Sequence, residues 1–390
     1  MDGQGGVQLR NSQDDEHTLL ATLALIRIKG LGTVTQARLL EYFHSPKALF
    51  AAAPGQLTQM VGVRLAERLS SPPWQQAERD LQYCRRHQIE LITLASSRYP
   101  PLLRAIVDPP PVLFARGSAV SGLAQPSVAV VGTRRPTLAG THFTTALGAD
   151  LARAGLTVVS GLAHGVDGAA HRGALAGGGD TVAVGGCGLD RIYPRSHRAL
   201  AAQIEQSGCL ITEFAPGTPP LRHNFPMRNR LISGLSLGVV IVEAAERSGS
   251  LVTARLALEQ GREVMAVPGA PGAAASAGTN RLLREGAALV CGIRDVLDEL
   301  ASPLEFHESW ECHAAVEDER APTPVTASAA RILDALSAAP QSLDKLAQLT
   351  RLEVSSLRRE IQALELEGHL EMVPGGLYGR TLTRYTVADT

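Results

Sequence analysis

The sequence predicts an α/β protein built on a doubly wound parallel sheet, with a helical domain before it and a winged helix after it. Three observations carry this. From residue 127, short β-branched runs alternate with helical stretches of ten or more residues, the pattern of parallel βαβ units. Residues 18 to about 90 show helical apolar spacing interrupted by Gly-containing turns. Beyond an acidic, Pro-punctuated stretch, three short helices precede a hairpin around Gly375-Gly376, the order of a winged helix.

The elements follow in order. Residues 1–17, polar and acidic, read as a disordered tail without the basic start and apolar core of a signal peptide. Residues 18–115 form the helical domain, of SAM or helix-hairpin-helix type. Its "IRIKGLGTVTQARLL" sets Gly30 and Gly32 before a helix, where backbone N–H groups can approach a phosphate or where Gly simply serves the turn. A second, poorer copy is "LTQMVGVRLAERL". The Pro-rich "SSRYPPLLRAIVDPPPVLFARG" reads as a connector. Residues 116–300 hold the sheet: "SVAVVGTRRPTLAG", "LTVVSGLAHGVDGAAHRGAL", "DTVAVGGCGLDRIYP", "CLITEFAPG", "LGVVIVEAAERSGSLVTARLALEQG" and "EVMAVPGAPG", a Rossmann-like succession. Residues 301–327 are the acidic linker and 328–390 the winged helix, whose recognition helix carries Glu353, Glu360, Glu365 and Glu367 against Arg358 and Arg359. Such a helix repels phosphate, so protein contact is expected of it rather than DNA contact.

Composition bounds the function. A chain of 390 residues, 45% hydrophobic and 19% charged, is globular and long enough for two or three domains. No uninterrupted apolar run reaches the length of a membrane span, and a cytoplasmic location is expected. Five scattered cysteines without a Cys-x-x-Cys argue against a disulfide framework, and Cys312-His313 with His307 is a poor metal site in an acidic stretch. No metal and no cofactor are expected. Net charge is only −1, but the linker holds six acidic residues against one basic, and all 17 basic residues of 116–300 are Arg. The planar guanidinium matches phosphate best, so a local basic groove fits a neutral chain.

In an open parallel sheet the ligand lies beyond the carboxyl ends of the strands. Three Gly-rich turns should meet there as an anion cradle: Gly132 with Arg134 and Arg135; Gly161 and Gly165 with Asp167 capping the helix that bears His171; and Gly249 with Ser250. The first turn lacks Gly-x-Gly-x-x-Gly, its Arg-Arg-Pro obstructs a pyrophosphate, and no Walker loop occurs. Asp167, His171 and Glu243 make an acid/base set on paper. A capping, a packing and a strand-end role respectively explain them better.

The succession "VGTRRP", "SGLAHGVDGAAHRGAL", "GCGLDRIYPRSH", "NFPMRNRLISGLS", "VVEAAERSGSLVTARLALEQGREVMAVPG" and "GTNRLLREGA" resembles the DNA-processing protein A family (DprA, also called Smf) over about 116–295. The resemblance implies a non-catalytic protein that binds incoming single-stranded DNA in natural transformation, loads RecA on it, and displaces or tolerates single-strand-binding protein. It also implies a homodimer through the Rossmann-like domain. By the same resemblance Arg228 and Arg230 hold phosphates, Asn229 bonds backbone or phosphate, and Phe225 stacks a base. Asn280 of "GTNRLL" joins the DNA-binding set, and His164 replaces a longer or basic side chain. The competing class is a nucleotide phosphoribohydrolase on a related fold, but the Gly-Gly-x-Gly-Thr run that positions its catalytic Glu is missing from "EAAERSGSLVTA". A transcription regulator acting through the winged helix is disfavoured by that domain's acidity.

Overall fold

A computed structural model describes residues 5–305, 323–336, 340–373, 376–380 and 385–387. Its centre is a nine-stranded sheet in the order β1-β2-β6-β5-β4-β3-β7-β8-β9. The strands are β1 (Glu90–Thr93), β2 (Val112–Arg116), β3 (Ser127–Val131), β4 (Thr157–Ser160), β5 (Thr181–Val184), β6 (Cys209–Thr212), β7 (Gly238–Ile241), β8 (Glu263–Ala266) and β9 (Ala288–Leu289). Strands β3 to β9 pair in parallel, while β1 and β2 pair antiparallel with each other and β2 with β6. Every residue of β3, β4, β5, β6 and β7 is buried. Helices cover both faces, so these strands are continuous apolar runs rather than alternating ones. The chain leaves β3 in one direction as far as β6 and then crosses back to β7, so the topological switch point lies beside β3.

Before the sheet come α1 (Gly5–Ile26), α2 (Thr33–Phe43), α3 (Pro46–Phe50), α4 (Pro54–Val61), α5 (Val63–Ser70) and α6 (Trp74–Arg86). The helix α1 starts at Gly5, so 5–17 is helical rather than a disordered tail; residues 1–4 lie outside the described residues. Gly30 and Gly62 both take positive φ between helices, and α2 to α5 enclose a small core around Leu39, Leu49 and Leu57. The domain boundary at 115 does not hold. β1 and β2 extend the sheet, and Leu23, Ala77 and Leu81 of α1 and α6 share one core cluster with Phe114, Ile204 and Leu210. Arg27 fastens the same junction, pairing with Asp80 at 2.7 Å and donating to the Pro216 carbonyl at 2.7 Å. The connector is likewise structural. It holds α7 (Pro101–Arg104), whose Leu103 packs with the helix that follows β6.

The remaining helices are α8 (Leu138–Arg153), α9 (Val166–Ala176), α10 (Arg198–Ser207), α11 (Asn224–Leu235), α12 (Ser250–Glu259), α13 (Ala277–Arg284) and α14 (Ile293–Glu305). The last runs five residues into the expected linker; residues 306–322, with Cys312, His313 and His307, lie outside the described residues. The C-terminal unit is a winged helix. It contains β10 (Thr323–Val325), α15 (Ala327–Ala335), β11 (Gln341–Ser342), α16 (Leu343–Thr350), α17 (Val354–Leu366), β12 (Leu370–Val373), β13 (Leu377–Arg380) and β14 (Tyr385–Val387). β12 and β13 pair antiparallel across the expected hairpin; of its two glycines Gly376 is described and Gly375 is not. The wing lies against the start of α8, where Glu371 pairs with His142 at 3.1 Å.

Candidate nucleic-acid interface

The first two Gly-rich turns meet Glu243 of the third at the carboxyl edge of the sheet, but much of their charge is directed inward. The N-terminus of α8, at the switch point, is the place for a dinucleotide's pyrophosphate. Here it holds Glu243, two residues past the end of β7. Its carboxylate accepts from the Thr137 backbone N–H at 3.0 Å and from the Thr137 hydroxyl at 2.5 Å, while Thr137 Oγ1 accepts from Gly140 N–H. A Cβ on Gly140 would collide with that carboxylate. The protein's own anion fills the position, which completes the physical case against a dinucleotide.

The second turn is organised by Asp167 and Arg228. Asp167 does not cap α9; Gly165 does, and Asp167 Oδ2 instead accepts from the Gly161 and Ala163 N–H groups at 3.1 and 3.3 Å. Burial pushes its pKa up, and the Arg228 charge opposes the rise. Arg228 is 3% exposed. Its Nη1 donates to the carbonyls of Gly161, at 2.7 Å, and Val184, and its Nε has no partner. Burial lowers the guanidinium to about 10, so it stays protonated at neutral pH. A Cβ on Gly161 would lie 2.6 Å from both terminal nitrogens, so this glycine makes room for Arg228 rather than for a ligand. Gly132 does the same for the neighbouring loops, its missing Cβ being replaced by Val166 and the Glu243 carbonyl. His171 is fully buried and pushed down to about 3 by that burial. Because the Thr181 hydroxyl donates to the Val158 carbonyl, it accepts from His171 Nδ1 at 2.7 Å, which fixes a neutral Nδ1–H tautomer.

Two arginines expected on phosphates are therefore structural. Arg230 places Nε on Asp108 at 2.8 Å and both terminal nitrogens on Glu213 at 3.0 and 2.7 Å, a two-pronged pair with both side chains 7% exposed. Burial pulls its pKa down, but Glu213 and Asp108 more than offset this and raise it. Burial likewise lifts Glu213 against the attraction of Arg230. For Arg228 the reason lies in the helix. α11 begins at Asn224, with Pro226 tolerated in its first turn, and positions 224, 228, 231, 232 and 235 fall on one buried face. That spacing was present in the sequence. Asn280 is also committed, its amide bonding Gly269 N–H and C=O at 3.1 and 3.0 Å. Ser250 is buried with its hydroxyl on Ser248 at 2.7 Å, while Gly249 is exposed with open space about it.

What faces solvent is a lip of free groups. Arg134 and Arg135 are exposed and their guanidinium groups make no ion pair or hydrogen bond. Arg134 stands over the half-buried Phe225 ring, 5.9 Å from its centroid. Asn229 is half-buried with its amide unengaged. The sequence reading missed Arg222, which is exposed and unpaired just before α11; it also missed Asn224, which anchors that helix by donating to the Gly186 and Pro219 carbonyls at 3.0 and 3.2 Å. Asn224 and Arg222 belong to "LRHNFP", where the run of polar residues before a Pro marks a helix start. Among the described residues no cluster of side chains fits a metal, and no helix is long and apolar enough to cross a membrane.

Comparisons with known proteins agree with this architecture. Residues 90–301 match the family described as DNA recombination-mediator protein A, and 316–376 match the DprA winged helix domain. Protein Smf of Escherichia coli is 40% identical over 80% of this chain and 83% of its own length. DNA processing protein DprA of Bacillus subtilis is 42% identical over 55% of this chain and 73% of its own. The solved structure of DprA from Streptococcus pneumoniae superposes with TM-score 0.64 at 35% identity, covering 70% of this chain and 95% of that one. DprA from Helicobacter pylori, described as having a unique single-stranded DNA binding mode, superposes with TM-score 0.50 at 34% identity, covering 55% and 97%. The start of the match at 90 coincides with the start of β1. With more than half of the chain matched by the family model and 83% of the length of the Escherichia coli relative covered at 40% identity, the chain belongs to the DNA recombination-mediator protein A (DprA/Smf) family.

Proposed function

We propose that this protein binds single-stranded DNA, protects it as it enters the cell during natural transformation, and loads RecA on it for recombination, with no catalytic step of its own. One observation carries the reading: exposed Arg134 stands over an aromatic ring, with Arg135 and Arg222 exposed and unpaired on the loops that lead to it, while the inner anion positions are already satisfied by Glu243 and Asp167. Phosphate contacts beside a stacking surface suit a strand of arbitrary sequence. The single-stranded DNA binding of the Helicobacter pylori relative supports the same reading. The inner turns shape the lip. Gly132, Gly161, Arg228 and Arg230 set its geometry, and Arg134, Arg135, Phe225, Asn229 and Arg222 contact the strand.

The phosphoribohydrolase reading requires a free carboxylate at the strand end. Glu243 is instead held by two Thr137 donors, and His171 and Asp167 are each locked by internal partners. RecA contact, tolerance of single-strand-binding protein and a homodimer through 235–300 rest on the family. The apolar wealth of β7 and β8 is core and offers no surface, so the dimer face is sought in exposed Leu258 of α12 and Leu289 of edge strand β9. The acidic α17, with Glu353, Glu365 and Glu367 exposed around it, is proposed for protein contact, and the cytoplasm is the proposed location. The test compares oligothymidylate with duplex of equal length in a salt series. Tighter binding to the single strand is expected; equal or preferential duplex binding refutes the reading.

A further inference from the structure

Phe225 is the obvious ring for a base, yet it is enclosed. On one side the Gly186 backbone is so close that a Cβ there would sit 2.8 Å from the ring. Over the ring stands Arg134, and a base stacking on Phe225 has to displace that guanidinium. Tyr193 is the open ring beside it. Its centroid lies 5.2 Å from that of Phe225 at 46° between planes, it is 44% exposed, and its hydroxyl makes no hydrogen bond. An exposed tyrosine whose polar tip is unused presents an aromatic face held against an established aromatic neighbour.

The chain around Tyr193 is built on the same edge of the sheet. His197 Nδ1 meets the Leu162 carbonyl at 3.0 Å, and its ring stands edge-on to exposed His164 at 4.9 Å. That fastens the segment 193–198 onto the loop that leads into α9. Burial lowers the pKa of His197, and the Leu162 bond opposes the shift, so the contact is one of a packed ring rather than a mobile cation. Charge along the segment is one-sided. Asp190 pairs with Arg191 at 3.0 Å, and beyond it Arg195 and Arg198 are exposed with no ion pair or hydrogen bond from their guanidinium groups. An open ring followed by uncompensated cations is the arrangement that holds an unpaired, flexible strand.

We propose that the bound strand continues past Phe225 along residues 193–198, with a base stacked on Tyr193 and with Arg195 and Arg198 on the phosphates that follow. This rests on the reading of the chain as a single-strand binder and extends it by placing the next nucleotides. It requires the ring and not the hydroxyl of Tyr193. It also requires bases that are free to leave their partners, so Tyr193 contributes nothing to duplex binding.

The experiment uses the full chain with oligothymidylate and a duplex of equal length, in a salt series, for Tyr193→Ala, Tyr193→Phe, the double variant Arg195→Ala/Arg198→Ala, and Arg134→Ala as the reference. Tyr193→Ala should weaken oligothymidylate binding by roughly 5-fold to 100-fold with an unchanged salt slope, an unchanged melting temperature and unchanged duplex binding. Tyr193→Phe should bind as wild type. The double variant should flatten the slope by about 1.4, two single-strand phosphate contacts. If Tyr193→Ala binds as wild type while Arg134→Ala is weakened, the strand ends at the loop lip and the proposal is wrong with the proposed function intact. An unchanged slope in the double variant overturns the phosphate half. A wild-type protein with no preference for the single strand removes the underlying reading itself.

Discussion

Replacing Arg230 by Met separates a structural arginine from a phosphate clamp. Arg230 meets Glu213 through two bonds of 3.0 and 2.7 Å and Asp108 through one of 2.8 Å, with only 7% of its side chain exposed. Met fills the volume and removes the cation, leaving two carboxylates facing each other in a site from which water is largely excluded. Asp108 is 18% exposed and keeps its bond from the Thr33 hydroxyl, so Glu213 bears most of the loss. Breaking a buried pair by deleting one partner costs about 3–5 kcal/mol, a large part of the 5–15 kcal/mol that holds a typical domain. At about 4 kcal/mol the melting temperature falls by roughly 8–16 °C. The pH dependence has a definite sign. Burial holds the Glu213 pKa above its ordinary 4.5 against the pull of Arg230, so wild-type stability already declines as pH rises from 4.5 through the raised value. Without Arg230 that pKa rises further and the window of decline widens upward, so the gap between variant and wild type should be larger at pH 8 than at pH 5. Thermal melts by circular dichroism at both pH values, with oligothymidylate binding measured below the melt, check this. A variant that melts as wild type but binds DNA more weakly, with a flatter salt slope, returns Arg230 to the phosphates and refutes the reasoning.

Three further outcomes are expected. Arg134→Ala leaves the melting temperature unchanged and lowers the single-strand salt slope by about 0.7, because its guanidinium has no internal ion pair to lose; an unchanged slope removes it from the interface. His171 is held near 3 by burial, so protonation favours the unfolded chain, and wild type should lose roughly 1.4 kcal/mol per pH unit below 6.5 relative to His171→Leu, measured by urea denaturation across that range. A fragment of 116–300 should fail to melt cooperatively. It lacks β1, β2, α1 and α6, and uncovers Ile204, Leu200 and Leu210, each worth roughly 1.5–3 kcal/mol of burial. A sharp melt of that fragment would restore the boundary at 115.

The parallel strands were legible because burial on both faces leaves an unmistakable apolar run between Gly turns; "SVAVV", "TVVS" and "GVVI" need no context. β2 was hidden for the opposite reason. It follows a Pro-rich stretch and pairs antiparallel at the margin of a parallel sheet, a partnership set by tertiary contacts with β6 rather than by local pattern. The arginines divide along the same line. Residue type pointed to phosphate for Arg134, Arg135, Arg228 and Arg230 alike, and what distinguishes them is their partners. Asp108 and Glu213 lie 122 and 17 residues from Arg230 in the chain, a separation across which spacing carries no signal. For Arg228 a signal existed, since it shares helical phase with Leu231, Ile232 and Leu235. Tyr193 and Arg222 were passed over because a lone exposed side chain has no periodicity to betray it.

Glu243 at the head of α8 has a consequence for selectivity inside a cell full of small phosphates. A socket that accepts one anion at a helix terminus is open to every free nucleotide, which would then compete with any polymer for the same place. With its own carboxylate seated there by Thr137, the chain closes that socket, and on the proposed reading attachment falls to the exposed arginines outside it. Each such point holds a monomer too weakly to matter, whereas a continuous strand engages several at once, the later ones at high effective concentration. On the proposed reading, the filled socket turns a fold suited to metabolites into one that responds to chain length.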